Sequence, residues 1–131
     1  MTEKSRPRVL ICEDEADISR LMELSLVAEG IEPRVIGSLK GLEEELKRFG
    51  PGVLVLDIML PGGNMDGMEK SRELKENGRF PDLRILICSA IARGTKTNEE
   101  EIQKVSLADD VLFKPFEPQE FRKRVRALLE D

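Results

Sequence analysis

Histidine, tryptophan and tyrosine are all absent from the 131 residues. Without histidine the chain lacks the commonest general base and the commonest zinc ligand. Without Trp or Tyr it has little with which to stack bases, and a net charge of −5 leaves no basic footprint, so direct contact with nucleic acid is not expected. Only two cysteines occur, Cys12 and Cys88. Each ends an apolar run and no Cys-x-x-Cys spacing exists, so both are expected to be buried thiols that behave as small hydrophobes. Long hydrophobic stretches are missing too. The longest, Val53 to Leu56 and Ile85 to Cys88, are too short to cross a bilayer, and the N-terminus has no signal-peptide core, so no membrane contact and a cytoplasmic address are expected.

What is present suits a single folded domain over 1–131, with residues 1–7 as a flexible N-terminal tail. Hydrophobic residues make up 40% and charged residues 36%, enough to bury a core without disulfides. Short apolar runs alternate with helix-period segments five times, the signature of a parallel sheet covered by helices on both faces. The strands are expected at Arg8 to Cys12, Ile31 to Ile36, Val53 to Leu56, Arg84 to Cys88 and Val111 to Phe113. Pro33 has no amide donor and puts the second strand at a sheet edge. The first helix has Ile18, Leu21, Met22 and Ser25 at i, i+3, i+4, i+7 spacing. Leu39, Leu42, Leu46 and Phe49 stripe the second, ended by Gly50-Pro51-Gly52. The third is expected around Asp66 to Asn77. The fourth, with a capping box at Thr97 and Glu100 and only Ile102, Val105 and Leu107 as its apolar face, is expected to be loosely held. Phe121, Val125, Leu128 and Leu129 give the last helix its buried face, opposite Arg122, Lys123, Arg124 and Arg126, a basic face read as simple solvation.

Glu13, Asp14 and Asp57 each come directly after an apolar strand, so a parallel sheet gathers them at its carboxyl edge, where open α/β folds bind ligands. Three crowded carboxylates resist being charged together unless a cation neutralises them. The all-oxygen set favours magnesium, with manganese as the alternative, over zinc. Ser89 after the fourth strand and Lys114 after the fifth reach the same edge. A carboxylate there can attack phosphorus in line if a metal and a lysine stabilise the equatorial oxygens.

Glu13-Asp14-Glu15, Asp57, Pro61-Gly62, Met65-Asp66-Gly67, Ser89-Ala90 and Lys114-Pro115-Phe116, in that order and at that spacing, resemble the successive motifs of bacterial response-regulator receiver domains over essentially the whole chain. The resemblance implies a flavodoxin-like (βα)5 fold with strand order 2-1-3-4-5. It implies Asp57 as phosphoacceptor, and Glu13, Asp14, Asp57 and the backbone carbonyl of Met59 as ligands of magnesium. Ser89 and Lys114 would contact the phosphoryl oxygens, and the Lys114-Pro115 peptide would be cis. With no histidine of its own, the chain would take its phosphoryl group from a histidine kinase or histidine phosphotransfer protein and act as a switch, catalysing its own aspartyl phosphorylation and dephosphorylation. That strand order also separates Cys12 from Cys88 by a whole strand, about 10 Å, too far for a disulfide.

The chain departs from the family pattern in three places. Val111 stands where the family usually has an aromatic ring that rotates with the switch. Gly63 and Asn64 look inserted in the loop after Pro61-Gly62, and the stretch from Ser89 to Lys114 is long. The missing ring supports an alternative, a receiver-like interaction module not controlled by phosphorylation. A haloacid-dehalogenase-like hydrolase is disfavoured because Asp57-Ile58-Met59 lacks that family's second acid. Leu24, Leu26 and Val27 widen the apolar arc of the first helix, a candidate docking face for the phosphodonor. A homodimer would use the face of the fourth helix, fifth strand and last helix. No effector domain is expected within these residues.

Overall fold

A computed structural model describes residues 6–58, 67–90 and 99–130. Strand and helix alternate as β1 (Arg8–Cys12), α1 (Ala16–Val27), β2 (Glu32–Ile36), α2 (Leu42–Phe49), β3 (Val53–Leu56), α3 (Gly67–Glu76), β4 (Arg84–Ala90), α4 (Glu99–Ser106), β5 (Asp110–Lys114) and α5 (Pro118–Glu130). The five strands form one parallel sheet in the order β2-β1-β3-β4-β5, the expected flavodoxin-like arrangement. Pro33 lies on the edge strand β2, where its missing donor costs no ladder bond to a second neighbour. Residues 59–66, the site of the Met59, Pro61-Gly62, Gly63, Asn64 and Asp66 expectations, lie outside the described residues, as does Thr97. Residues 1–5 do as well, whereas the Pro7 carbonyl already accepts the Glu32 amide at 2.8 Å.

Strand alternation divides the sheet between two cores. Leu10, Leu54, Leu56, Ile85 and Val111 face α2, α3 and α4, where Leu46, Leu74 and Ile102 meet them. Val9, Ile11, Val55 and Leu86 face α1 and α5 and pack on Met22, Leu26, Phe121 and Val125. Burial on both sides explains the unbroken apolar run of β3, whose side chains each contribute about 1.5–3 kcal/mol. At the end of α2, Gly50 adopts φ 65°, the left-handed cap that only glycine takes without strain, and its amide closes onto the Leu46 carbonyl.

Three sequence expectations change. In α1 the buried face is Ser19, Met22, Ser25 and Leu26, while Leu21 turns out to solvent. Serine can occupy that face because Ser25 Oγ donates to the Leu21 carbonyl at 2.7 Å and takes its hydrogen bond inward with it. Leu26 is therefore core, and the surplus apolar surface is Leu21, Leu24 and Val27.

In α4 the buried residues are Ile102 and Ser106, with Val105 and Leu107 exposed. Hydroxyl and amide bonds hold its C-terminal end: Ser71 Oγ of α3 donates to the Ser106 carbonyl at 2.9 Å, Arg72 to the Val105 carbonyl at 3.2 Å, and Gln103 Nε2 to the Asp109 carbonyl at 3.1 Å. Leu107 follows at φ 59°, a left-handed cap made by a side chain that clashes with its own backbone there. Leu107 is 38% exposed, so its partial burial offsets part of the strain, and Leu107→Gly should raise stability by less than about 1 kcal/mol in urea unfolding, with an unchanged m-value; a loss of stability would show that its contacts outweigh the strain.

On α5, Arg124 is not simply solvated. It reaches Asp110 at 2.8 Å, Glu120 at 2.8 Å and the Val111 carbonyl at 3.1 Å, tying α5 to β5.

Candidate functional site

The ladder itself delivers the acids to one place. Register pairs Cys12 with Leu56, so the residues that follow, Glu13 and Asp57, stand side by side. The Asp57 amide donates to the Cys12 carbonyl at 3.1 Å and the Glu13 amide to the Ile36 carbonyl at 3.0 Å, which extends sheet-like order past both strand ends. Between β1 and β3 the chain turns outward in opposite directions, making the crevice in which such folds take ligands. Oxygens of Glu13, Asp14 and Asp57 lie within 4.8 Å of one another there, Glu13 and Asp57 buried and Asp14 exposed.

Lys114, the last residue of β5, reaches back across this group. Its Nζ is 2.6 Å from Glu13 Oε1, 3.0 Å from Asp57 Oδ2 and 3.6 Å from Glu15 Oε1. The Lys114-Pro115 peptide is cis. Ser89 is buried inside β4, whose strand runs through it to Ala90 opposite Lys114. By register Ser89 is one residue beyond the level of Asp57, on the neighbouring strand. Four of the residues picked from sequence, Glu13, Asp14, Asp57 and Lys114, are thus in one cluster and Ser89 is at its edge.

Burial pushes the Glu13 carboxyl above the usual carboxylate range, although the Lys114 ammonium and the Glu15 amide pull the other way. Burial also works against charge on Lys114, but the carboxylates of Glu13 and Asp57 more than offset it and hold the ammonium above its ordinary value. Cys12 is pushed up to about 12, first by burial and then by Asp57, Glu13 and Asp14; Cys88 is raised as well, chiefly by burial. Both thiols are free and buried, and the upward shift disfavours the thiolate at neutral pH.

The donor set suits a hard divalent cation. Among the described residues Glu13 Oε1 is buried beside the Lys114 ammonium at 2.6 Å with no further hydrogen-bond partner. Glu13 Oε2 is satisfied by the Glu15 amide at 3.2 Å. One carboxylate oxygen is therefore anchored and the other is left to face charge, beside oxygens from two further acids and no softer donor.

Two contributors enter the sequence reading only as members of motifs, with no sign of what they touch. At Gly67, the first residue of α3, a Cβ would lie 2.5 Å from Ile58 Cα and 2.6 Å from the Asp57 carbonyl oxygen. The helix can dock against the backbone of Asp57 only because that side chain is absent, and the Gly67 amide bonds the Ile58 carbonyl at 3.2 Å. The second is Glu15, whose pairing with Lys114 cannot be seen from its place before a helix. Val111, where the ring is missing, is wholly buried in the α2–α3–α4 core, and Phe113 packs against the same cluster.

A family model described as the response regulator receiver domain matches residues 9–126. The chain is 33% identical over 124 residues to the DNA-binding response regulator MtrA of Mycobacterium tuberculosis, covering 95% of this chain and 51% of that protein. It is 36% identical over 126 residues to the phosphate regulon transcriptional regulatory protein PhoB of Rhizobium meliloti, covering 94% and 52%. The chain spans about half the length of the curated relatives it matches. Among solved structures, a response regulator from Chloroflexus aurantiacus superposes with a TM-score of 0.84 at 28% identity, covering 97% of this chain and all of that one. The BeF3-activated N-terminal receiver domain of Klebsiella pneumoniae RstA gives 0.81 at 25% identity, covering 95% and 99%. Sequence match and superposition both run nearly end to end, and the chain belongs to the response regulator receiver domain family of two-component signalling.

Proposed function

We propose that Asp57 accepts a phosphoryl group from the phosphohistidine of a histidine kinase or histidine phosphotransfer protein. The observation that carries this reading is the buried Asp57 carboxylate, 3.0 Å from the Lys114 ammonium and within 4.8 Å of oxygens from Glu13 and Asp14. An Asp57 oxygen attacks phosphorus, the P–N bond breaks, and the ring, already protonated on its other nitrogen, takes the electron pair and leaves as neutral imidazole. Lys114 stays beside Asp57 and meets the charge that develops on the equatorial oxygens, and Ser89 donates its hydroxyl to another of them. Glu13, Asp14, Asp57 and the Met59 carbonyl would hold magnesium, which when bound supplies further positive charge to the transferring group. Water later hydrolyses the acyl phosphate and resets the switch.

The new charge, about −1.5 to −2 at neutral pH, draws Ser89 and Lys114 and so biases the face of α4, β5 and α5 between two arrangements. That face would carry output and a homodimer contact. MtrA and PhoB are named as DNA-binding or transcriptional regulators, and control of such an output is the corresponding proposal for a protein carrying this domain.

The donor's docking helix would lie along α1. Leu24 and Val27 are 58% and 56% exposed, which no packing among the described residues accounts for, and Leu21 continues the strip toward Phe116, itself stacked on Phe121 at 5.5 Å. Leu24→Glu should slow transfer from a histidine phosphodonor by about tenfold or more while leaving phosphorylation by acetyl phosphate unchanged. Equal slowing of both would count against docking on α1.

Burial of Val111 in place of a ring favours the second reading, an interaction module that signals without phosphorylation. Trifluoroberyllate with magnesium separates the two. Fluorine NMR should show a bound species that disappears in Asp57→Asn; no bound species in the unsubstituted protein would favour the phosphorylation-independent module.

A further inference from the structure

We infer that Glu15 selects between classes of phosphoryl donor, disfavouring doubly anionic acyl phosphates relative to nitrogen-linked donors. The inference rests on the phosphoacceptor reading of Asp57. Glu15 occupies the N-cap position of α1, yet its side chain makes no capping hydrogen bond, so the start of the helix does not account for where the carboxylate points. It lies instead 3.6 Å from Lys114 Nζ, with its side chain 62% exposed. It also lines the rim of a groove of about 380 Å³ between α1 and the β5–α5 connection, whose walls include Ile18, Leu21, Pro115 and Phe116 and which opens on Lys114.

Glu15 thus has two effects on an incoming phosphoryl group. It is a competing anchor for the ammonium that Asp57 needs, and it adds a negative charge at the mouth of a site where, among the described residues, Glu13, Asp14 and Asp57 gather around Lys114. Repulsion grows with the charge on the donor. Acetyl phosphate approaches as a dianion. Phosphoramidate, like a phosphohistidine ring, carries a protonated nitrogen that offsets part of its charge. In either case an Asp57 oxygen forms the new bond to phosphorus. The bond that breaks is P–O with acetate leaving, or P–N with ammonia leaving, each departing with its electron pair.

The test measures the rates of phosphate uptake from acetyl phosphate and from phosphoramidate by intact mass, at saturating magnesium and fixed ionic strength. Glu15→Gln should speed uptake from acetyl phosphate by about tenfold and from phosphoramidate by about threefold, shifting their ratio by about threefold, and the shift should shrink at high salt. Glu76→Gln, the same charge change at the far end of α3, should leave the ratio alone. A ratio unchanged in Glu15→Gln, or shifted as much by Glu76→Gln, overturns the role of Glu15 while the phosphoacceptor reading stands. Failure of the unsubstituted protein to take up phosphate from either donor overturns both.

Discussion

Lys114→Met should lower the rate of phosphate uptake at Asp57 by about 100- to 1,000-fold, the usual cost of removing one preorganised charge from a transition state. The same substitution should destabilise the metal-free protein by about 3–5 kcal/mol, because it strips the counter-ion from acids that cannot reach water. The side chains of Glu13 and Asp57 are 1% and 6% exposed and that of Lys114 is 9% exposed, so solvent does little to screen this cluster. Magnesium should restore much of the lost stability by supplying charge to the same oxygens, but not the rate, since the role proposed for the lysine is on the transferring group as well as on the resting acids. Urea unfolding with and without magnesium, beside a time course of uptake, checks both halves. Uptake at the normal rate would exclude Lys114 from the chemistry.

Gly67→Ala should be damaging out of proportion to one methyl group. The added carbon would have to sit 2.5 Å from Ile58 Cα and 2.6 Å from the Asp57 carbonyl oxygen, and both obstacles are main chain, so no rotamer change relieves them. Either α3 moves off the sheet or the backbone of Asp57 shifts, at a cost of about 1–3 kcal/mol or somewhat more. A displaced Asp57 also breaks the alignment with Lys114 on which the proposed in-line attack depends, so uptake should fall at least as far as stability. The measurements are the urea midpoint and the rate of uptake under conditions where the variant remains folded. A rate and midpoint equal to those of the unsubstituted protein would mean that the helix has slack at this contact.

These residues also mark where the sequence could be read and where it could not. Val53 to Leu56 followed by Asp57 was legible because a central parallel strand must be apolar on both faces, and the change to an acid marks its carboxyl end. The same contrast exposed Glu13 and Asp14, and order along the chain brought in Lys114. Helix faces were harder. In α1 six large apolar residues, Ile18, Leu21, Met22, Leu24, Leu26 and Val27, spread around the helix, so periodicity admitted two rotations, and the one adopted turns Leu21 outward and buries Ser19 beside Ser25, whose hydroxyls bond within the helix. In α4 an apolar count chose Val105 and Leu107, yet contact with α3 runs through Ser71 and Ser106. Arg124 read as surface charge because its partner Asp110 lies on another element. Gly67 belonged to a recognised motif, but the reason only glycine fits is a contact with backbone ten residues earlier, which no local pattern records.

The most direct measurement is the intact mass of the protein after incubation with acetyl phosphate and magnesium. One added phosphate is predicted, absent when magnesium is chelated and absent in Asp57→Asn. An unmodified mass in the unsubstituted protein, or the same addition in Asp57→Asn, would contradict the assignment of Asp57 as the acceptor.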